Sequence, residues 1–202
     1  MNEGMAMAGK GLGERLRRAR LAGLVALGGL GACASSAPSD TASGPVSEKL
    51  DPDTATTVTI LSRPIELLAE SSRGAINDPF AYIAPFETDR MGQRELFLWV
   101  STPQVSGTPQ QPQVLCNGQP LSLQPVSADK VDLSQLSLSR APYDAPVPWS
   151  TQWYFHLPEA SLKCLADANG IVVEASSADG GSRQFTTIGR KNLASLDAFT
   201  RR

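Results

Sequence analysis

The 202-residue sequence has few of the residues from which active sites are most often built. It contains one histidine, His156, and three cysteines, and it has no Cys-x-x-Cys or Cys/His spacing typical of a metal site. A Ser-His-Asp triad would have to use His156, but the Gly-x-Ser-x-Gly motif of a nucleophile elbow is absent. The sequence therefore predicts no catalytic residue, metal site or cofactor, and it favours a non-enzymatic protein.

Basic residues are scarce outside the N-terminal segment. Five of the 18 basic and two of the 20 acidic side chains lie in residues 1–32, so residues 33–202 carry 13 and 18, a net charge of −5. Nucleic acids and anionic lipid headgroups are bound by concentrated Lys/Arg surfaces. We therefore expect no nucleic-acid partner, and we expect any membrane association to depend on the N-terminus.

The N-terminal segment has the order of features of a secretory signal. A basic region over residues 10–20 is followed by an apolar stretch over residues 21–32. As a helix, this stretch would rise about 18 Å, well short of the roughly 30 Å hydrocarbon core of a bilayer. We therefore expect a secretory signal rather than a permanent membrane span.

The apolar stretch ends in Leu30-Gly31-Ala32-Cys33, which resembles the lipobox of bacterial lipoprotein precursors. The resemblance implies that the Cys33 thiol carries a diacylglycerol and that residues 1–32 are removed as a signal peptide. Ala34, and not Asp, follows Cys33, which in this family favours the outer membrane. The expected product is lipid-anchored in the bacterial outer membrane and faces the periplasm. The alternatives are a conventional signal peptide with a chance cysteine, or an uncleaved anchor.

Lipidation of Cys33 would leave two cysteines, Cys116 and Cys164. The periplasm is oxidising, so these two are predicted to form a disulfide. A loop of about 49 residues closed in this way stabilises a protein by roughly 4 kcal/mol in the chain-entropy model. The alternative is a pair of buried free thiols.

Residues 33–53 are rich in Ser, Ala, Pro, Thr and Asp, and their apolar content is too low to form a core. This composition predicts a lipidated flexible tether. A lead-in strand packed on the domain is an alternative only near Leu50. Residues 54–202 are predicted to form a single globular periplasmic domain.

Short alternating segments in this domain predict a mainly β or α+β fold, with an antiparallel, sandwich-like sheet and two short C-terminal helices. Residues 94–100 are apolar on both faces, which predicts a central strand. Asn117-Gly118 predicts a type I′ hairpin turn, and Pro120 predicts that the second strand of the hairpin lies at a sheet edge.

The helices are indicated by their ends. Pro158-Glu159 predicts the start of a helix that ends near residue 168, and Asn169-Gly170 predicts its left-handed C-cap. Asn192 predicts the N-cap of a last helix. Its buried side is expected to carry Leu193, Leu196 and Phe199.

Tyr143 and Trp149 flank a loop that is rich in proline, residues 142–148. Exposed aromatic side chains beside prolines can stack on sugars or anchor a protein partner. We therefore predict these two as candidate binding residues, with an envelope protein or glycan as the partner.

The remaining candidates are His156 and two acidic pairs, Asp51/Asp53 and Glu87/Asp89. We expect His156 to face solvent or to satisfy a hydrogen bond, and the carboxylates to be solvated. A binding or accessory domain is the resulting hypothesis, and a passive structural lipoprotein is the alternative. A further alternative, a hydrolase of cell-wall glycans or peptides, requires His156 or the acidic pairs to converge in a pocket.

Overall fold

The computed structural model describes residues 44–70, 80–103, 108–126, 132–148, 150–176, 180–189 and 193–202. Within these residues lie eleven strands and two α-helices, and every strand pairing is antiparallel. The strands are β1 (Val46–Asp51), β2 (Thr56–Leu61), β3 (Ile65–Ala69), β4 (Phe80–Arg90), β5 (Gln93–Pro103), β6 (Gln113–Cys116), β7 (Gln119–Pro120), β8 (Gln124–Pro125), β9 (Ser150–His156), β10 (Ile171–Ser176) and β11 (Ser182–Thr187), and the helices are α1 (Glu159–Asp167) and α2 (Ala194–Thr200). The predicted mainly β antiparallel fold with two short C-terminal helices is confirmed.

The centre of the sheet is the long hairpin of β4 and β5. Met91 and Gly92 form its turn with φ angles of 54° and 82°, so the turn needs two left-handed residues. The second edge of β5 pairs with β9, which confirms that residues 94–100 lie in a central strand. Four of the five largest fully buried side chains belong to this hairpin and to β9, namely Trp99, Phe86, Phe97 and Phe155, and the fifth, Phe185, lies in β11.

The other edge of β4 is shared by two strands, so the sheet forks there. The first half of β4 pairs with β3, and the second half pairs with β2. Beyond β3 the order continues through β11, β10 and β6 to β7, whereas β2 carries only β1. We call β1 and β2 the β1–β2 arm.

The first strand lies inside the predicted tether. β1 pairs with β2 along its whole length, from Val46 opposite Leu61 to Asp51 opposite Thr56. The tether predicted over residues 33–53 therefore ends earlier than predicted, and its residues 33–43 lie outside the described residues. Composition did not reveal β1 because an edge strand needs little apolar content, and only Asp51 is buried in this one.

The hairpin of β6 and β7 follows the sequence prediction. Asn117 and Gly118 have φ angles of 50° and 78°, the two positive values that a type I′ turn requires. Pro120 lies in β7, the last strand at this end of the sheet. Pro120 therefore does not interrupt a central hydrogen-bond ladder.

The predicted C-cap of α1 is wrong. Ala168 is the C-cap and is extended, with φ −65° and ψ 140°, and neither Asn169 nor Gly170 is left-handed. The N–H of Asn169 donates to Asn117 Oδ1 at 2.8 Å, and the N–H of Asn117 donates to the Gly170 carbonyl at 3.0 Å. These bonds draw the chain from the helix directly into β10.

The second helix confirms its predicted buried side, since Leu193, Leu196 and Phe199 are all buried. Leu193 stands at its N-cap without a capping side chain, and Asn192, the predicted cap, lies outside the described residues. In the part of the chain that the structure describes, neither helix has the length and apolar content needed to cross a membrane.

Candidate functional site

Two of the predicted functional residues, Cys33 and Trp149, lie outside the described residues. The predicted disulfide is confirmed: Cys116 at the end of β6 is bonded to Cys164 on α1. The bridge joins a helix to the sheet across 48 positions of sequence.

The structure buries Tyr143, so the expectation of an exposed ring is wrong, whereas its role as a binding residue stays a prediction. Its side chain is 6% exposed and its ring packs 5.0 Å from that of Trp99 and 6.4 Å from that of Phe86, between ring centroids. The aromatic ring belongs to the core, because the proline loop folds inward at this residue.

The Tyr143 hydroxyl occupies the fork of the sheet. The β2–β4 register ends at Ile60 opposite Phe86, and the next pair in that register would be Leu61 and Pro85. The hydroxyl stands between these two residues: it accepts from the Leu61 N–H at 2.9 Å and donates to the Pro85 carbonyl at 2.8 Å. Burial raises the pKa of Tyr143 well above its ordinary value of 10.0, so the phenol stays protonated.

The segment that precedes Tyr143 is fastened to the β1–β2 arm at two more points. Thr56 Oγ1 donates to the Ser137 carbonyl at 2.8 Å. Asp51 accepts from both the N–H and the hydroxyl of Ser139, each at 2.7 Å. The N–H of Ser139 is the main cause of a lowered pKa of Asp51, and the Ser139 hydroxyl adds to it. Asp51 is buried, so the prediction of a solvated carboxylate is wrong for this residue.

A groove of about 990 Å³ lies between the β1–β2 arm and this fastened loop. We call it the proline groove. Its lining includes four prolines and four charged residues: Pro45, Pro64, Pro142, Pro146, Lys49, Arg63, Glu66 and Asp144. The loop predicted to carry binding residues does line a concave surface, and it does so with Pro142, Tyr143, Asp144 and Pro146, of which Tyr143 is buried.

The charges of the proline groove are mostly unpaired. Glu66 accepts from the Tyr82 hydroxyl at 3.3 Å. Lys49, Arg63 and Asp144 form no ion pair with any residue that the structure describes. Charges of both signs without an ion-pair partner among the described residues therefore lie beside the four prolines of the groove.

A second concave surface of about 540 Å³ lies between α1, the end of α2 and the start of β5. We call it the charged groove. Glu159, Lys163 and Asp167 of α1 line it, and Arg94 in its opposite wall is bonded to Glu87 at 2.6 Å. Its walls are held by the disulfide from Cys164 of α1 to the sheet and by the bond from the Leu157 N–H to the Leu96 carbonyl at 2.9 Å.

His156 lies at an exposed position of β9, with its ring 5.0 Å from that of Phe97 between centroids. The prediction that it faces solvent is confirmed. Neither groove is lined by His156. Of the acidic pairs, Asp51 is bonded to Ser139 and Glu87 to Arg94. Among the described residues no group of three or more His, Cys, Asp or Glu side chains could hold a metal ion.

The chain was compared with models of known protein families, with curated proteins and with solved structures, and no significant match was found in any of the three comparisons.

Proposed function

We propose that the protein is a lipid-anchored lipoprotein of the bacterial outer membrane whose periplasmic domain binds an envelope protein in the proline groove. The role is that of a binding or accessory domain without a catalytic step. The lipobox-like sequence at Cys33 supports the anchor, and the construction of the groove supports the binding role.

The observation that carries the binding role is that the groove is preformed. Its two walls, the β1–β2 arm and the loop over residues 137–146, are joined through Thr56, through Asp51 and through the bond from the Leu61 N–H to Tyr143. A site whose walls are already ordered loses little conformational entropy when a partner binds. Four side-chain hydrogen bonds hold the loop that connects β8 to β9 against this distant strand pair.

The position of the groove agrees with a membrane-proximal partner. Gly44 and Pro45 lie at its rim, and only residues 34–43 separate them from Cys33. Eleven residue steps span at most about 40 Å, whatever their conformation. A groove on such a chain is confined to the vicinity of the membrane if Cys33 is lipidated.

The unpaired charges give the groove a means of selecting a partner. Lys49, Arg63 and Asp144 are exposed and lack ion-pair partners among the described residues. Charges of this kind contribute more to specificity and orientation than to affinity. A complementary partner would place an acidic group near Lys49 and Arg63 and a basic group near Asp144.

The anchor is tested by replacing Cys33 with Ser and labelling cells with a radioactive fatty acid. We expect the label to disappear and an uncleaved precursor to accumulate. Label that persists in Cys33→Ser would contradict the proposed anchor.

The binding role is tested by in-cell chemical cross-linking followed by purification of the full chain. We expect the charge-reversed double variant Arg63→Glu/Asp144→Lys to yield at least tenfold less cross-linked partner than the wild type. Lys163→Glu, a charge reversal in the charged groove, is the matched control and should retain it. Equal yields from the two variants would refute the assignment to the proline groove.

A further inference from the structure

The outer edge of the β1–β2 arm is open, and its register shows which backbone groups are free. The Ser62 N–H donates to the Pro45 carbonyl at 2.9 Å, so these two residues bond to each other across the arm. The Leu61 N–H instead points away from β1, to Tyr143. Because antiparallel pairs alternate, the residues whose N–H and C=O groups point outward from β1 are Val46, Glu48 and Leu50.

No strand that the structure describes pairs with this edge, since β1 pairs only with β2. Leu50 is 66% exposed, and the Glu48 side chain is 58% exposed although it is bonded to Arg202 and Thr59. Lys49 of the same strand and Pro45, directly before the strand, line the proline groove. An open edge of this kind is a template for an added strand, and here it runs along the candidate site.

A second copy of β1 does not fit this edge well. Two antiparallel copies of β1 would be related by a two-fold axis perpendicular to the sheet, and residues that lie opposite each other must point to the same face of the sheet. Since neighbouring residues of a strand point to opposite faces, the axis must pass at a residue that lies opposite its own copy. An axis at Glu48 or at Lys49 pairs five residues of each strand. An axis at any other residue of β1 pairs three or fewer. These two axes place glutamate opposite glutamate or lysine opposite lysine, which is destabilising.

We therefore propose that an extended segment of the envelope partner, different in sequence from β1, adds to this edge as an antiparallel strand. Its backbone bonds to Val46, Glu48 and Leu50, its acidic residue lies opposite Lys49 at the groove, and the next residue, opposite Glu48, is basic. An apolar residue opposite Leu50 covers that exposed side chain. This inference rests on the proposed binding function and specifies its mode and the chemistry of the partner.

The charge pattern is tested with two labelled peptides of identical composition, Thr-Val-Glu-Lys-Thr-Val-Thr and Thr-Val-Lys-Glu-Thr-Val-Thr. In an antiparallel addition the first places Glu opposite Lys49 and Lys opposite Glu48, whereas the second places like charges opposite each other. Fluorescence anisotropy with the full chain in detergent micelles should show about tenfold tighter binding of the first peptide. The double variant Glu48→Lys/Lys49→Glu should reverse this preference.

The backbone pairing is tested with Leu50→Pro against Leu50→Ala. The Leu50 N–H points outward, so proline removes a donor from the open edge without removing a β1–β2 bond. Alanine removes the same side chain but keeps the N–H. We expect Leu50→Pro to bind the first peptide at least tenfold more weakly than Leu50→Ala.

Failure of this inference is distinguishable from failure of the proposed function. Peptides that bind equally or not at all, or a Leu50→Pro variant that binds like Leu50→Ala, overturn strand addition. If in-cell cross-linking still depends on Arg63 and Asp144, the proline groove remains the binding site and only strand addition is refuted. If cross-linking is also insensitive to those residues, strand addition and the binding function of the groove are both refuted.

Discussion

Replacing Tyr143 with Phe removes one buried hydroxyl and leaves the aromatic ring in place against Trp99 and Phe86. The Leu61 N–H and the Pro85 carbonyl, both buried, then lose their partner at the fork of the sheet. An unsatisfied buried polar group costs about 1–3 kcal/mol, so the free energy of unfolding should fall by about 3 kcal/mol. For a chain of this size that corresponds to a melting temperature lower by roughly 6–12 °C.

The assay is urea unfolding followed by tryptophan fluorescence, with the midpoint and the slope m measured separately. Tyr82→Phe is the matched control, since the half-exposed Tyr82 hydroxyl makes one bond of 3.3 Å to Glu66 and its loss should change stability by no more than about 0.5 kcal/mol. We expect Tyr143→Phe to have a lower midpoint with an unchanged m, and Tyr82→Phe to have nearly the midpoint of the wild type. Equal midpoints for the two variants would refute the argument that the hydroxyl closes the fork.

Three further predictions concern other parts of the domain. Asp51→Asn should destabilise the protein at neutral pH; because the pKa of Asp51 is lowered on folding, its contribution is present above the ordinary value of 3.8 and lost as pH falls below it. Urea midpoints of variant and wild type should therefore converge in acid, and a constant difference would contradict this. Replacing Cys116 and Cys164 with Ser should cost about 4 kcal/mol, and a reductant should lower the wild-type midpoint but not that of the variant. Burial raises the pKa of Tyr154 to about 12, so stability should be constant up to pH 10 and decline as pH rises towards 12. Absorbance at 295 nm that shows every tyrosine ionising near pH 10 in the folded protein would contradict it.

The features predicted correctly are those that residue types or a residue count determine. Two positive φ angles at Asn117 and Gly118 follow from the residue types themselves, and so does the start of α1 after Pro158. The disulfide followed from a count of the cysteines and from the expected compartment. Each of these inferences needs no knowledge of distant contacts.

The features that sequence reasoning missed depend on residues far apart in the chain. Tyr143 is 82 positions from Leu61, and Ser139 is 88 positions from Asp51. A tyrosine between prolines has the same local pattern whether it lies on the surface or, as here, enters the fork of a sheet. The carboxylate of Asp51 likewise gives no local sign that it is bonded. The proline loop was found as a candidate site, but its role as a fastened groove wall required the structure.

The prediction of the C-cap of α1 was wrong for a related reason. Asn169-Gly170 is a common left-handed ending, yet Asn117, in the turn between β6 and β7, bonds to both residues, and neither of them is left-handed. Tertiary bonds override a local preference that is worth about 1 kcal/mol.

The most direct test of the proposed membrane-proximal binding role is photo-cross-linking in living cells. A photoreactive phenylalanine analogue is placed at the exposed Pro146 in the proline groove or, as the control, at the exposed Lys163 in the charged groove. We predict one discrete adduct from position 146 that disappears when Cys33 is replaced with Ser, and no such adduct from position 163. The absence of an adduct at position 146, or the same adduct from both positions, would contradict the account.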